Sequence, residues 1–156
     1  MSIESQLNEV RARVAEAATR ADRLPSDIRL IAVSKTFPIH AVRAAYEAGQ
    51  RDFGENRVQE ALQKIAHAAD MQIRWHLIGH LQSNKARKAA EQMALIHSID
   101  SVDLLRRVDA AAGAATVTVS GLGPQFTGPG YDVIVYALGG VAARGGAYSI
   151  GTTTNF

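Results

Sequence analysis

The sequence predicts an α/β fold with a parallel sheet, because short apolar strands alternate with amphipathic helices along most of the chain. Residues 28–33 form an apolar, β-branched run that is typical of a buried strand. Apolar side chains three and four positions apart indicate helices at residues 3–21 and 39–46, on either side of this run. Helices between successive strands imply right-handed crossovers and a parallel sheet, in which ligands bind beyond the carboxyl ends of the strands.

The boundaries of the elements follow from proline, glycine and capping residues. Pro25 ends the first helix, Pro38 suits the first turn of the second, and Gly49 suits the position after its end. The apolar stripe of the first helix consists of Ile3, Leu7, Val10, Val14, Ala17 and Ala21. The later predicted elements are strands at 51–53, 73–78 and 94–97, helices at 56–67, at about 84–93 and after the capping residue Ser101, and candidate strands at 116–119 and 131–138.

Composition narrows the class of protein. The 156 residues are 47% hydrophobic and 21% charged, which is typical of one soluble globular domain. Cysteine is absent, which excludes disulfides and thiolate metal sites and fits a reducing cytosol, so we expect a cytoplasmic protein. The sequence has neither a signal peptide nor a run of about 18 apolar residues, so no membrane association is expected. A net charge of +2 gives no reason to expect nucleic acid.

Charge is distributed unevenly along the chain. Residues 113–156 contain only Asp132 and Arg144 among the charged types, but they hold ten of the thirteen glycines. We therefore divide the chain into residues 1–112 and a glycine-rich segment at 113–156.

Lys35 is the residue best suited to chemistry. It follows the first strand directly, which places its Cα at the rim of the core. Burial at such a position favours the neutral amine, which is the form that adds to an aldehyde. The alternative is an amine that simply extends into solvent from the strand end. Position alone leaves both interpretations open.

Four segments, in order, resemble signature motifs of the pyridoxal-phosphate homeostasis family. They are residues 30–36 (LIAVSKT), 54–60 (GENRVQE), 75–85 (WHLIGHLQSNK) and 97–101 (HSIDS), and the resemblance covers about residues 1–112. It implies a TIM-type (β/α) barrel similar to the N-terminal domain of alanine racemases. It also implies pyridoxal 5′-phosphate as the cofactor, held as a Schiff base on Lys35.

The resemblance also implies that Asn56 and His80 contact the cofactor. Asn56 has a second interpretation as the N-cap of the following helix, and Asn84 has the same alternative. A cluster of basic residues either attracts the cofactor phosphate or forms a solvated helix face. We expect no metal site, because the histidines are scattered, and we place His76 and His97 in or beside the core. The basic residues are Arg57, Lys85, Arg87 and Lys88.

The resemblance is lost beyond about residue 112. The family completes its phosphate site with late motifs, of which only Ile150-Gly151-Thr152 is present, with Ser149 in place of the preceding arginine. A complete barrel needs roughly 250 residues. We therefore expect an incomplete barrel in which the divergent segment 113–156 completes part of the same domain. A frameshift, an internal deletion or a chimeric gene would explain the change in composition.

Three functional interpretations follow. The first is a non-catalytic carrier that holds pyridoxal phosphate and delivers it to apo enzymes that depend on it, as a monomer or weak homodimer. The second is a truncated or frameshifted, inactive remnant. The third is an amino-acid racemase, which needs a second acid–base residue besides Lys35. Only His80 and Tyr46 are conceivable partners, and the sequence identifies no carboxylate to orient His80.

Overall fold

A computed structural model of the chain describes residues 2–112 and, as backbone only, the strand at 133–136. Helices and strands alternate as predicted. In chain order they are α1 (Ile3–Arg20), β1 (Ile28–Val33), α2 (Ile39–Glu47), β2 (Asp52–Glu55), α3 (Val58–His67), β3 (Arg74–Leu77), α4 (Ala86–Gln92), β4 (Leu95–Ile96), α5 (Val102–Ala112) and β5 (Val133–Tyr136), with short 3-10 helices at Pro25–Asp27 and Ser83–Lys85.

The strands form one sheet in the order β4-β3-β2-β1-β5, and every neighbouring pair is parallel. The predicted parallel α/β fold is therefore confirmed. The candidate strand at 131–138 is confirmed over a shorter range, and Ile28 of β1 pairs with Val133 of β5. A segment from beyond residue 112 thus joins the same sheet. The candidate strand at 116–119 and the glycine-rich loop after it lie outside the described residues, as do residues 149–152.

Several predicted boundaries were wrong. The helix predicted from Asn56 begins at Val58, because Asn56 belongs to a bend that packs against another loop. The helix predicted from about residue 84 begins with a 3-10 turn, closed by the Lys85 N–H donating to Gln82 O at 2.8 Å. Neither Asn56 nor Asn84 is therefore the N-cap of an α-helix. Gly49 does follow α2 as predicted, with a φ of 86° that favours glycine.

The stripe on α1 was also partly wrong. Ala18 is the buried residue of this helix, whereas Ala17 and Ala21 are exposed. In the last turn of α1, the buried face is therefore rotated by one residue from the predicted apolar face.

The helices pack on one face of the sheet through two apolar clusters. The first lies between α3, α4, α5 and the end of β3, and the second lies under α2 and α3 around Phe53 and Trp75. These two rings are 5.9 Å apart between centroids. Side chains alternate along a strand, so Gly54 and His76 face the opposite side, which is the interior side in a barrel. No helix in residues 2–112 is long and apolar enough to cross a membrane.

Candidate functional site

The carboxyl ends of the strands bring the predicted rim residues onto adjacent loops. The Ser34 N–H donates to Gly54 O at 2.9 Å, which ties the loop after β1 to β2. The Ile78 N–H donates to Glu55 O at 2.9 Å and ties β2 to the loop after β3. The Ser98 hydroxyl donates to Gly79 O and adds the loop after β4. Side chains that follow different strands therefore share one rim.

Gly79 allows two of these loops to touch. A Cβ atom at this position would lie 2.3 Å from the carbonyl oxygen of Asn56, which is too close for any side chain. The contact places the Asn56 backbone against the loop that carries His80. Glycine at position 79 is therefore a requirement of the rim itself.

Lys35 lies in a tight turn at the end of β1, and its side chain is exposed. Of the two interpretations that the sequence left open for Lys35, the structure favours the amine that extends into solvent from the strand end. The next residue, Thr36, has a φ of 67°, which a β-branched residue rarely adopts. Among the described residues, no carboxylate forms an ion pair with Lys35. Its amine is accessible to a ligand.

Asn56 is half-buried and His80 is exposed. The Nδ1 atom of His80 lies 3.4 Å from Oδ2 of Asp100, with 69% and 58% of the two side chains exposed. The sequence analysis found no carboxylate for His80, and the structure corrects this. Asp100 follows β4, so the pair depends on two loops that only the fold brings together.

A buried group that the sequence analysis missed lies directly beneath the Lys35 turn. Glu55 Oε1 accepts a hydrogen bond from the Ser34 hydroxyl at 2.6 Å and another from Lys64 Nζ at 2.6 Å. Lys64 Nζ also donates to the Ser34 carbonyl oxygen at 2.6 Å. One signal pointed to this arrangement. Lys64 lies three positions after buried Ala61, on the apolar side of α3, where a lysine needs a buried acceptor.

A second polar group lies on the opposite face of the sheet. Asp52 accepts from Arg74 Nε at 2.8 Å and from Arg74 Nη2 at 2.5 Å, and it also accepts from His76 Nε2 at 2.9 Å. His76 Nδ1 lies 3.0 Å from His97 Nε2. His76 is buried and His97 is partly buried, which confirms their predicted place in or beside the core.

Two pKa values in this group are shifted. Burial on its own raises the pKa of Asp52, but the hydrogen bonds from Arg74 and His76 outweigh it and hold this pKa well below its ordinary value. Burial, with smaller contributions from His76 and Arg29, lowers the pKa of His97 to about 4. The group is thus arranged around a charged carboxylate and a neutral His97.

The predicted basic residues lie on an exposed surface, except for partly buried Lys85. Arg57 pairs with Glu60 at 3.3 Å, and Arg87 pairs with Glu91 at 2.9 Å. These contacts favour the interpretation as a solvated helix face. Within residues 2–112, no three histidine, aspartate or glutamate side chains converge as metal ligands.

The described part of the rim fits an aldehyde cofactor. Lys35 supplies an accessible primary amine, and the Asn56 amide and the His80 imidazole supply hydrogen-bonding groups on adjacent loops. A primary amine can bind an aldehyde carbon, and hydrogen-bonding side chains can bind the polar atoms of an aromatic ring.

The fold and the rim define the class of parallel α/β proteins with an accessible lysine at the carboxyl end of the first strand. The chain belongs to the family of the alanine racemase N-terminal domain, whose family model matches residues 5–120. The predicted resemblance to pyridoxal-phosphate homeostasis proteins is likewise confirmed over part of the chain.

Three similar proteins illustrate the match. A pyridoxal phosphate homeostasis protein of Pseudomonas aeruginosa is 49% identical over 107 residues, covering 69% of this chain and 46% of the relative. PipY of Synechococcus elongatus, solved with pyridoxal phosphate bound, is 51% identical, with a TM-score of 0.58 and 68% and 52% of the two chains covered. An unknown protein from Bifidobacterium adolescentis is 36% identical, with a TM-score of 0.64 and 75% and 53% covered.

The chain spans about half the length of the curated relatives it matches. Membership of the family therefore does not by itself show that this chain binds the ligands of those complete proteins.

Proposed function

We propose that this protein is a non-catalytic carrier of pyridoxal 5′-phosphate, with Lys35 as the attachment residue and Asn56 and His80 beside the cofactor. The observation that carries the proposal is the exposed Lys35 amine at the carboxyl end of β1, within a motif shared with this family. The pyridoxal-phosphate-bound structure of PipY supports the choice of ligand. The recipients would be apo enzymes that depend on this cofactor. In this proposal, residues 1–112 form the cofactor-binding part of the barrel, and 113–156 contribute to the same domain.

The chemistry needs little from the protein. Lys35 Nζ would hold the cofactor through its aldehyde carbon, with loss of one water molecule, and addition of water would release it again. A carrier requires this reversibility and an accessible amine. When bound, the cofactor supplies an aldehyde and an electron-accepting ring, whereas the chain supplies the amine and its surroundings.

Lys35→Ala tests the attachment residue. The chain has only four lysines, at positions 35, 64, 85 and 88, so borohydride reduction followed by peptide mapping distinguishes them. We expect wild-type protein to carry a reducible adduct on Lys35 and the variant to carry none. The fold should be intact, because the exposed side chain contributes little packing. Lys88→Ala, which removes an exposed lysine of α4, is the matched control and should retain the adduct.

Two results would contradict the proposal. An adduct on Lys64 or Lys85 in wild-type protein would refute the assignment to Lys35. A folded protein that forms no adduct at all would favour the inactive remnant.

Racemisation is a second candidate, and the Asp100 carboxylate beside His80 is the observation that favours it. A racemase must remove the Cα proton of an amino acid from one face and return a proton to the other. Both His80 and Asp100 are largely exposed, so water competes with their contact and His80 is weakly oriented. We therefore expect no interconversion of alanine enantiomers above the rate with pyridoxal phosphate alone. Interconversion that is lost in His80→Ala would overturn this expectation.

A further inference from the structure

Lys64 reaches from α3 to the end of β1. Only 14% of its side chain is exposed, and Glu55 is fully buried. Its ammonium group donates to Glu55 Oε1 and to the Ser34 carbonyl oxygen, each at 2.6 Å. One cation therefore connects a helix, the end of β2 and the residue that precedes Lys35.

Every polar atom of Ser34 has a partner. Its N–H donates to Gly54 O, its hydroxyl donates to Glu55, and its carbonyl oxygen accepts from both Lys64 and the Phe37 N–H. Ser34 is therefore held firmly in place as the first residue of the turn that contains Lys35.

The turn requires an anchored first residue, because its backbone is strained. Thr36 has its φ at 67°, a conformation that costs a β-branched residue energy and persists only where the surroundings impose it. The Ser34 carbonyl and the Lys35 nitrogen share one planar peptide group, so the direction of the carbonyl determines the direction in which Lys35 leaves the strand. Lys64, by its bond to that carbonyl, acts on the orientation of Lys35.

We propose that Lys64 is a positioning residue for Lys35. Its bond to Ser34 O holds the Lys35 turn in the conformation that presents the Lys35 amine. Because its own ammonium group is engaged with Glu55 and Ser34, Lys64 is withdrawn from reaction with carbonyl ligands. This inference deepens the proposed carrier function and rests on it for the choice of ligand, but the positioning of the turn is independent of that ligand.

The test compares three variants with wild type. Glu55→Gln combined with Lys64→Met removes both charges while nearly preserving shape, so no buried charge is left unpaired. Lys64→Arg retains a cation that can contact both acceptors. Arg43→Met is the matched control, because Arg43 also joins a helix to a carboxylate and a carbonyl, those of Asp70 and His67, away from this turn.

The first measurement is hydrogen exchange of the Phe37 amide without cofactor, because this amide donates to Ser34 O. We expect exchange on the order of tenfold faster in the double variant, which is the effect of losing one hydrogen bond to a charged group. Lys64→Arg should restore most of the protection, and Arg43→Met should leave it unchanged. Unchanged Phe37 exchange in a folded double variant would overturn the inference.

The second measurement is the rate and position of the borohydride-reducible adduct with pyridoxal phosphate. We expect attachment at Lys35 to be roughly tenfold slower in the double variant, in proportion to the loosened turn, and restored in Lys64→Arg. Equal rates in the double variant and wild type would count against positioning. If wild type forms no adduct, the proposed function fails while Phe37 exchange still decides the role of Lys64. If the double variant does not fold, Glu55→Gln combined with Lys64→Leu, which likewise leaves no buried charge and no donor to Ser34 O, takes its place in both measurements with the same criteria.

Discussion

Strand β2 carries two buried carboxylates three residues apart, and they have opposite surroundings. Asp52 faces the interior side of the sheet, where both of its oxygens accept hydrogen bonds from Arg74 and His76. Glu55 faces the helices, where Oε1 accepts two hydrogen bonds and Oε2 has no partner among the described residues. The two carboxylates thus differ in how completely they are satisfied.

The partners differ as well. The Arg74 side chain is 56% exposed, so its guanidinium can turn to solvent if the Asp52 carboxylate is lost. The Lys64 side chain is only 14% exposed, so its ammonium group would stay buried if the Glu55 carboxylate were lost. A buried charge left without its partner is strongly destabilising, and an exposed one is not. The comparison indicates that Asp52 mainly ties strands together, whereas Glu55 and Lys64 depend on each other and hold the Lys35 turn.

The largest expected effect is that of Lys64→Met. It leaves the Glu55 carboxylate fully buried without a cation and should lower the free energy of unfolding by about 3–5 kcal/mol. Adding Glu55→Gln should recover much of this loss, since the buried charge is removed as well. Urea unfolding of the two variants measures the difference. A double variant as unstable as Lys64→Met would show that packing, and not charge, dominates this site.

A smaller effect is expected for Asp52→Asn. The amide keeps one acceptor but presents N–H groups toward Arg74 or His76, so we expect a loss of about 1–3 kcal/mol. Arg74→Met measures the other side of the same pair. It leaves the buried Asp52 carboxylate with only the hydrogen bond from His76, so we expect a loss at least as large as that of Asp52→Asn. If Asp52→Asn destabilised the protein as much as Lys64→Met, the distinction between the two faces of β2 would be wrong.

A third expected effect concerns pH and belongs to the Asp52 side of the sheet. The pKa of His97 is lowered from 6.5 to about 4 in the folded protein. Below pH 6.5, His97 of the unfolded chain therefore binds a proton that His97 of the folded chain does not bind. The contribution of His97 to stability is complete above pH 6.5 and declines as the pH falls toward 4. The slope of this decline corresponds to the uptake of at most one proton on unfolding. Asp52, whose pKa is also lowered, adds a further loss below about pH 3.8.

Unfolding free energies measured between pH 7 and 4.5 test this expectation. His97→Phe should flatten the decline, because the group that binds the extra proton in the unfolded chain is gone. His40→Asn, which removes an exposed histidine of α2, controls for the loss of an imidazole as such. An identical slope in His97→Phe and wild type would mean that another group causes the acid sensitivity.

Sequence reasoning located the rim better than it located the contacts within the rim. Strand β1 was predicted at its observed bounds, and the motif after it placed Lys35 at the carboxyl end of that strand. The N-cap alternative for Asn56 was wrong, and the close approach of Asn56 to Gly79 could not be predicted, because Gly79 lies on a different loop. The partner of His80 was missed for the same reason, since Asp100 follows β4.

By itself, the sequence determined the order of strands and helices, the parallel sheet and the family. These depend on local periodicity and on motifs that lie within single segments. Only the tertiary structure decided which buried carboxylate each cation meets. Lys64 reaches Glu55 and Ser34 because of the rotation of α3 and the register of β1 against β2, and neither is encoded within any one segment. The exposure of Lys35 was likewise a tertiary outcome, because it depends on which elements cover the rim.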